Sequence, residues 1–414
     1  MRELIRYGGA GGRDLRVDFF RGIALWFIFI DHVPGNVLGG LTLRNAALCD
    51  ATEAFVLLAG YAAGLAYGAV LDRQGWGFAA ANLVRRVGTL YVAHIFLLVV
   101  FTAQVGYSAA ALDSTAYLDE MHLDAFGEQP YQALLQALLL RFQPAFLDIL
   151  PLYIVLLLLL VPALPLLRRP AALLLVSLVG YALARALDLN LPGWTGSGWF
   201  FNPLAWQALF FVGCTLGYTP RGASGPFAAL RWHPALAAGC VLLLVLGGGA
   251  LVAAWNRTEW LEALPEGVAR VLSDIDKTSL HPFRLLSALA LAYLLGHAIP
   301  NRTGWLRGLP AAPFVLIGQH GLPVFCSGIF LAFLARLALE QSDGWAMQGA
   351  ANAAGLGAMV TVGLVAAWYR LRSRGTPAAA PASVAASGTG GTALADGPAA
   401  DRLPGPPASF RKRS

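Results

Sequence analysis

The chain has 414 residues, of which 57% are hydrophobic and only 13% are charged, and its formal net charge is +6. Soluble domains carry about 25% charged residues, so this composition excludes an ordinary soluble protein and predicts a chain covered by lipid. The basic residues form short clusters between apolar stretches, which is typical of the cytoplasmic loops of membrane proteins. No nucleic-acid partner is therefore expected, whereas membrane lipid is.

Ten apolar stretches can each cross a bilayer, because a transmembrane helix needs about 17 to 25 mostly apolar residues. They predict an all-α integral membrane protein, a polytopic bundle of about ten transmembrane helices, within a domain of residues 1–374. Gly318, Gly321 and Pro323 interrupt the ninth stretch, so we expect a kink or a break there. The stretches lie near 18–37, 52–71, 86–105, 145–167, 171–189, 199–218, 234–254, 282–300, 312–336 and 349–370.

The positions of arginine and lysine predict the orientation of the bundle. With the N-terminus in the cytoplasm and ten spans, most basic residues fall in cytoplasmic segments, as the positive-inside rule requires. Both termini are therefore expected in the cytoplasm. Residues 375–414 are rich in Ala, Pro, Gly, Ser and Thr, which predicts a disordered cytoplasmic tail.

The four cysteines give no sign of a metal site. None has the spacing of metal ligands, and most lie inside apolar stretches, where cysteine usually acts as a small buried hydrophobic residue. No metal ion and no tightly bound cofactor are therefore expected. The cysteines are Cys49, Cys214, Cys240 and Cys326.

The first stretch carries ionisable residues that are costly within a membrane and often mark function. Arg21 and His32 are eleven residues apart, which puts them on one helix face and roughly 16 Å apart along its axis. Histidine is suited to accept a proton near neutral pH, whereas Asp31 points about 100° away from it. The structural alternative is that Arg21 extends to the membrane surface and His32 ends the helix.

The second stretch begins with Asp50 and Glu53, which share a helix face three residues apart. This spacing predicts either a pair of functional carboxylates or an N-terminal capping pattern, and capping is favoured for Asp50. Gly60, Gly64 and Gly68 recur further along the same helix. A stripe of small residues predicts the close approach of another helix.

Other polar side chains lie at the ends of the predicted spans. Each one alone is typical of an interfacial anchor or a helix cap, but together they could line one chamber at the outer face. Two long outer segments, near 106–144 and 255–281, are large enough to cover such a chamber. The polar residues are Arg44, Asp148, Gln207, Lys277 and Arg284.

Several of these segments also resemble a known family. The chain is similar to the OpgC family in motifs that run in order from about residue 13 to about residue 335, although the last motif has Gly321 where a small hydroxyl residue is expected. The matching segments are 13–22, 29–36, 42–45, 50–56, 59–61, 148–153, 202–207, 276–278 and, more loosely, 317–325.

The resemblance implies a function. Members of this family succinylate periplasmic glucans in the bacterial inner membrane and belong to the wider acyltransferase-three group, whose arginine, ten residues and histidine match Arg21 and His32. The donor would be acyl-CoA, in particular succinyl-CoA, and the acceptor a periplasmic glucan or another glycan. We therefore expect a multi-pass membrane O-acyltransferase.

Within that hypothesis, the candidate catalytic residues are His32 as general base, with Asp31 or Glu53 stabilising the imidazolium. The candidate donor- and substrate-binding residues are Arg21, Arg44, Asp50, Asp148, Lys277 and Arg284. The alternative is a membrane transporter or flippase that uses the same buried charges as a proton relay. A further alternative is a non-catalytic membrane component that recruits a glucan-synthesis partner.

Overall fold

A computed structural model describes residues 14–194, 196–219, 230–256, 266, 275–299 and 304–375. Within these ranges the regular secondary structure is helical, apart from one isolated bridge between Pro192 and Gly198. Residues Met1–Arg372 form one compact unit. The tail predicted at 375–414 lies, beyond its first residue, outside the described residues.

Six helices are long and apolar enough to cross a bilayer by length and composition. Exposed apolar side chains such as Val92, Phe96 and Val99 follow one face of α4 (Trp76–Ala111), as lipid contact requires. The chain is thus a helical membrane protein. The six helices are α3 (Ala51–Gln74), α4 (Trp76–Ala111), α8 (Ile149–Ala163, continued by a 3₁₀ turn to Arg168), α11 (Pro234–Asn256), α14 (Gly321–Gln341) and α15 (Trp345–Gly375).

Each of the ten predicted stretches contains a helix, but four of the predicted spans are not among the six. Helix α1 (Leu15–Asp31) has 17 residues, and three other apolar helices have 15 to 17 residues, at or below the lower limit of about 17 for a span. The count of about ten spans therefore stays a prediction. The shorter helices are α1 (Leu15–Asp31), α9 (Pro170–Ala186), α10 (Pro203–Gly217) and α12 (Pro282–Ala298).

The predicted break in the ninth stretch is confirmed. Helix α13 (Ala312–Gln319) ends and α14 begins on either side of His320, whose backbone leaves the helical conformation. Helix α13 packs closely on α1, as the space at Gly318 shows: a Cβ there would come within 1.8 Å of the Asp18 carbonyl oxygen. The break therefore allows the short helix α13 to pack against α1.

The glycine stripe of α3 packs against α10, as predicted. A Cβ at Gly60 would meet the carbonyl oxygen of Phe210 at 2.1 Å, and one at Gly64 would meet that of Cys214 at 2.0 Å. Gly213 on α10 approaches the α3 backbone in the same way. The two backbones are in contact here, which is the purpose of small residues at membrane helix interfaces.

The segment between α4 and α8 folds into short helices that lie beside the ends of the long ones. They are α5 (Ala116–Glu120), α6 (Asp124–Glu128) and α7 (Pro130–Leu138). A further short helix, α2 (Leu43–Ala46), lies in the connection between α1 and α3. These segments surround the end of the bundle where α1 ends and α3, α8 and α12 begin.

Candidate active site

The end of α1 and the starts of α3, α8 and α12 converge on one cavity of about 660 Å³. Its wall includes both charged and aromatic side chains. Among the predicted site residues, the lining contains Asp31, His32, Arg44, Asp50, Asp148, Lys277 and Arg284. The predicted chamber is therefore present, although Gln207 lies elsewhere.

His32 is the residue that ends α1, and its imidazole has a defined hydrogen bond. Nδ1 lies within hydrogen-bond distance of the Ile28 carbonyl oxygen, one helical turn earlier. Because a carbonyl only accepts, Nδ1 carries the proton, and Nε2 is the nitrogen with a lone pair. The ring of Phe146 packs edge-on against the imidazole, with 4.3 Å between the ring centroids. Nε2 is thus available as a base at the cavity wall.

Asp31 has a partner other than the neighbouring imidazole. Its Oδ1 accepts a hydrogen bond of 2.7 Å from the hydroxyl of Thr42, which is fully buried. The Thr42 N–H donates to the Gly39 carbonyl at 3.1 Å, so the chain between α1 and α3 is folded back onto the end of α1. The geometry fixes Asp31 at the wall of the cavity but gives it no hydrogen bond to His32.

Asp50 and Glu53 form the capping box that their spacing predicted. The Asp50 side chain accepts from the Thr52 N–H, and the Glu53 side chain accepts from the Asp50 N–H at 2.9 Å. This arrangement satisfies backbone donors at the start of α3. The capping interpretation is confirmed, but it describes only part of what the two carboxylates contact.

The same two carboxylates hold two cations that come from a distant part of the chain. Lys277 Nζ lies 2.6 Å from Asp50 Oδ2, and Arg284 Nη2 lies 3.2 Å from the same oxygen. Arg284 Nε lies 2.7 Å from Glu53 Oε1, and the Glu53 side chain is fully buried. These four residues form a charged network between α3 and the start of α12. Glu53, a candidate catalytic residue, thus orients Arg284.

The carboxylates of the residues that precede α3 and α8, Asp50 and Asp148, have different acidities. Burial by itself would raise the pKa of Asp50, but Lys277 and Arg284 outweigh burial and hold that pKa well below its usual range. At Asp148, burial raises the pKa to about 6, and Lys277 only partly opposes this rise. Asp50 is therefore a permanent anion, whereas Asp148 takes up a proton just below neutral pH.

Two of the motifs that carry the family resemblance hold Lys277 in place together. The Trp206 Nε1–H donates to the carbonyl oxygens of Lys277 and Thr278, both at 3.1 Å, and the Asn202 N–H donates to that of Thr278 at 3.0 Å. The Lys277 ammonium lies 5.4 Å from the centre of the Phe201 ring. The start of α10 is thus a support for the turn that presents Lys277.

Gln207 and Arg21 lie away from the cavity. Gln207 exchanges hydrogen bonds with Ser177, at 2.7 and 2.8 Å, and so joins α10 to α9 instead of lining the predicted chamber. Arg21 donates to the Leu58 carbonyl of α3 at 3.0 Å and lies 3.9 Å from Asp18. Arg21 therefore bridges α1 and α3 deeper in the bundle than His32.

A second, mostly apolar cavity of about 320 Å³ lies between α1, α3, α10 and α12. It extends from Asp14 and Arg16 at the start of α1 to Cys49 before α3. Cys49 also lines the polar cavity, so the two spaces share one wall residue. Leu58, whose carbonyl accepts from Arg21, lines the apolar cavity too.

Sequence reasoning missed several residues of the polar cavity. Phe146 and His122 line it, and both have left-handed backbone, with φ of 72° and 54°. Thr42, which holds Asp31, was also missed. No periodicity marks these positions because they lie in irregular segments. The motif 42–45 could have pointed to Thr42 and the long segment near 106–144 to His122, whereas Phe146 falls inside the predicted stretch 145–167.

Comparison with known proteins places the chain in a family. No curated protein and no solved structure matches it. A family model described as OpgC protein matches residues 13–371, which is most of the chain and includes every residue of both cavities. The chain therefore belongs to the OpgC protein family.

Proposed function

We propose that this protein is a membrane O-acyltransferase that moves a succinyl or related acyl group from acyl-CoA to hydroxyls of a periplasmic glucan. Membership of the OpgC family suggests glucan modification by acyl transfer. The proposed chemistry rests on one observation, the placement of His32. Its Nδ1 is hydrogen-bonded to a backbone carbonyl, and its ring lies at the wall of a charged cavity. This is the arrangement that a general base needs.

In the proposed step, Nε2 of His32 takes the proton from a glucan hydroxyl as its oxygen attacks the thioester carbonyl. The new C–O bond forms, the C–S bond breaks, and the sulfur leaves as the thiol of CoA after His32 returns the proton to it. His32 therefore ends the cycle neutral, and no covalent acyl-enzyme is required.

The cations of the cavity supply the electrostatic part of the proposal. A negative charge develops on the thioester oxygen during attack, and fixed cations beside that oxygen lower its free energy. Lys277, Arg284 and Arg44 line the cavity for this purpose or for binding the carboxylate of a succinyl group. Asp50 and Glu53 keep Arg284 and Lys277 in place, and Asp148 and Asp31 face the sugar as hydrogen-bond partners.

The donor is proposed to enter from the cytoplasm along the apolar cavity, since this space begins beside Arg16 and shares the wall residue Cys49 with the polar cavity. Arg21 would contribute a positive charge along that path. The proposal also places the protein in the bacterial inner membrane with both termini in the cytoplasm, as the distribution of basic residues predicts. The resemblance of Arg21 and His32 to the acyltransferase-three pattern also supports donor entry from the cytoplasm.

The test uses membranes that contain wild-type protein or His32→Ala, with labelled succinyl-CoA and a β-glucan acceptor. We expect label in the glucan with wild type and at least a 100-fold lower rate with the variant, because general-base catalysis contributes about 10²–10⁴-fold. His233→Ala is the matched control, since His233 is exposed and lies outside the cavity lining.

The outcomes separate the proposal from the alternatives. Equal label transfer by wild type and His32→Ala would exclude His32 as the base. Movement of unmodified glucan across sealed vesicles, without label incorporation, would instead favour the flippase.

A further inference from the structure

We propose that Phe146 is a positioning residue that holds the His32 imidazole in the orientation that presents Nε2 to the cavity. This inference rests on the proposed function for its meaning, but one of its tests does not require activity. Phe146 comes from the outer loop before α8, whereas His32 comes from the end of α1. The two residues are far apart in the chain, so no local sequence pattern predicts their contact.

The contact between the two rings is direct. The ring centroids are 4.3 Å apart and the ring planes meet at 75°, so the Phe146 ring packs edge-to-face with the imidazole. Both residues line the polar cavity. The Ile28 carbonyl fixes one nitrogen of the imidazole, and the Phe146 ring restricts rotation of the ring plane. Two contacts from different elements therefore define one orientation of the base.

The backbone of Phe146 is in a conformation that a bulky residue rarely adopts. Its φ is 72°, close to the value of about 80° at the third position of a type II turn. The Leu147 N–H donates to the Pro144 carbonyl at 3.1 Å, which closes a four-residue turn with Phe146 in that third position. Glycine is the usual residue there, because it has no Cβ to clash.

The surrounding structure holds this strained turn from both sides. The Ala145 N–H donates to the Met121 carbonyl at 3.1 Å, which ties the turn to the outer loop. Leu147 is fully buried, and α8 begins two residues later. Such strain persists only where neighbouring contacts impose it, and it clusters at functional sites. A glycine would suit the turn better but would bring no ring to His32.

The first test measures acyl transfer by Phe146→Gly, which removes the ring and relieves the backbone strain together. We expect kcat to fall about 100-fold, the typical cost of misplacing a catalytic group by about 1 Å. The KM for the donor should stay within about twofold, because uniform substrate binding is not affected. Phe146→Tyr keeps the aromatic ring and should restore most of the rate.

The matched control is Leu140→Gly. Leu140 is also a non-glycine residue with positive φ, 59°, in the same outer loop, but it lies outside the cavity lining. Its substitution relieves strain of the same kind without touching His32, and we expect an unchanged kcat. A fall in kcat of equal size in both variants would show that loop strain, not the Phe146 ring, matters, and would overturn the inference.

The second test measures the rate at which diethyl pyrocarbonate modifies His32, followed by peptide mass spectrometry. The reagent acylates unprotonated imidazole, and the Phe146 ring packs against that of His32 with 4.3 Å between the ring centroids. We expect modification of His32 to become at least about fivefold faster in Phe146→Gly and to stay unchanged in Leu140→Gly. An equal rate in wild type and Phe146→Gly would overturn the inference.

The two tests fail in different ways. If wild type transfers no acyl group at all, the proposed function fails, and the modification rates alone decide the role of Phe146. If wild type transfers the acyl group and Phe146→Gly keeps its full kcat, the proposed function stands and the role of Phe146 is excluded.

Discussion

At the level of single residues, the site is defined by which carboxylates have cationic partners. Glu53 is fully buried and bound to Arg284, and Asp50 lies against both Arg284 and Lys277. Asp148 begins α8 without a side-chain capping bond. The first two carboxylates therefore hold cations in place, whereas the third lines the cavity.

The buried pair predicts a large loss of stability in Glu53→Gln. Removing one partner of a buried ion pair leaves an uncompensated charge and costs about 3–5 kcal/mol, so we expect a clearly lower Tm in detergent. Glu120→Gln is the control, because Glu120 pairs with Arg336 while its side chain is 54% exposed. Exposed pairs contribute about 0–1 kcal/mol, and a Tm loss as large in the control would contradict the distinction.

The acidity of Asp148 predicts a pH-dependent effect of Asp148→Asn. The folded pKa of about 6 lies above the ordinary value of 3.8, so wild type loses stability as pH rises from about 4 to about 6 and the buried carboxyl ionises. The variant lacks this loss, so its Tm should exceed that of wild type at pH 8 and match it near pH 3.5. Thermal unfolding across this range checks the prediction, and a constant Tm difference would refute it.

At the level of elements, the site depends on how closely α3 is held against α10. Lys277 is presented by a turn that Trp206 and Asn202 of the α10 start support, while its partner Asp50 caps α3. The α3–α10 contact therefore sets the distance between the two halves of the charged network. Backbone contact at the glycines makes this distance sensitive to a single methyl group.

Gly64→Ala tests this dependence. The added Cβ would lie 2.0 Å from the Cys214 carbonyl oxygen, so the helices must separate. Overpacking of this kind costs about 1–3 kcal/mol, and we expect a lower Tm together with weaker acyl transfer. Gly88→Ala on α4 is the control, because a Cβ there meets nothing within 4 Å. A normal Tm in Gly64→Ala would show that α10 can move without cost.

At the level of the whole molecule, the sequence predicted the elements better than their partners. Apolar length revealed where the helices lie, the Asp50–Glu53 spacing revealed the capping box, and Gly318 with Gly321 and Pro323 revealed the break. Local rules cannot pair Asp50 with Lys277, because this contact joins residues far apart in the chain. Gln207 was misplaced for the same reason, since its partner Ser177 lies on another helix.

The two ends of the bundle differ in what they contain. One end contains the polar cavity, and the segment between α4 and α8 is tied there to α14 by a hydrogen bond from the Tyr117 hydroxyl to Glu340. At the other end of α3, Asp72 binds Arg168 and the Tyr218 hydroxyl. The side of the membrane on which each end lies can therefore be tested with one labelled position at each end.

Cysteine accessibility gives the last prediction, with Ser342→Cys at the cavity end and Gln74→Cys at the opposite end. If the cavity faces the periplasm, a membrane-impermeant maleimide should label Ser342→Cys in cells with a permeable outer membrane and an intact inner membrane. It should label Gln74→Cys only after the inner membrane is broken. Wild type sets the background, because three of its four cysteines are buried and the fourth is half-buried. The reverse pattern would put His32 on the cytoplasmic side, where a periplasmic glucan cannot reach it, and would leave the fold standing while removing the proposed acceptor.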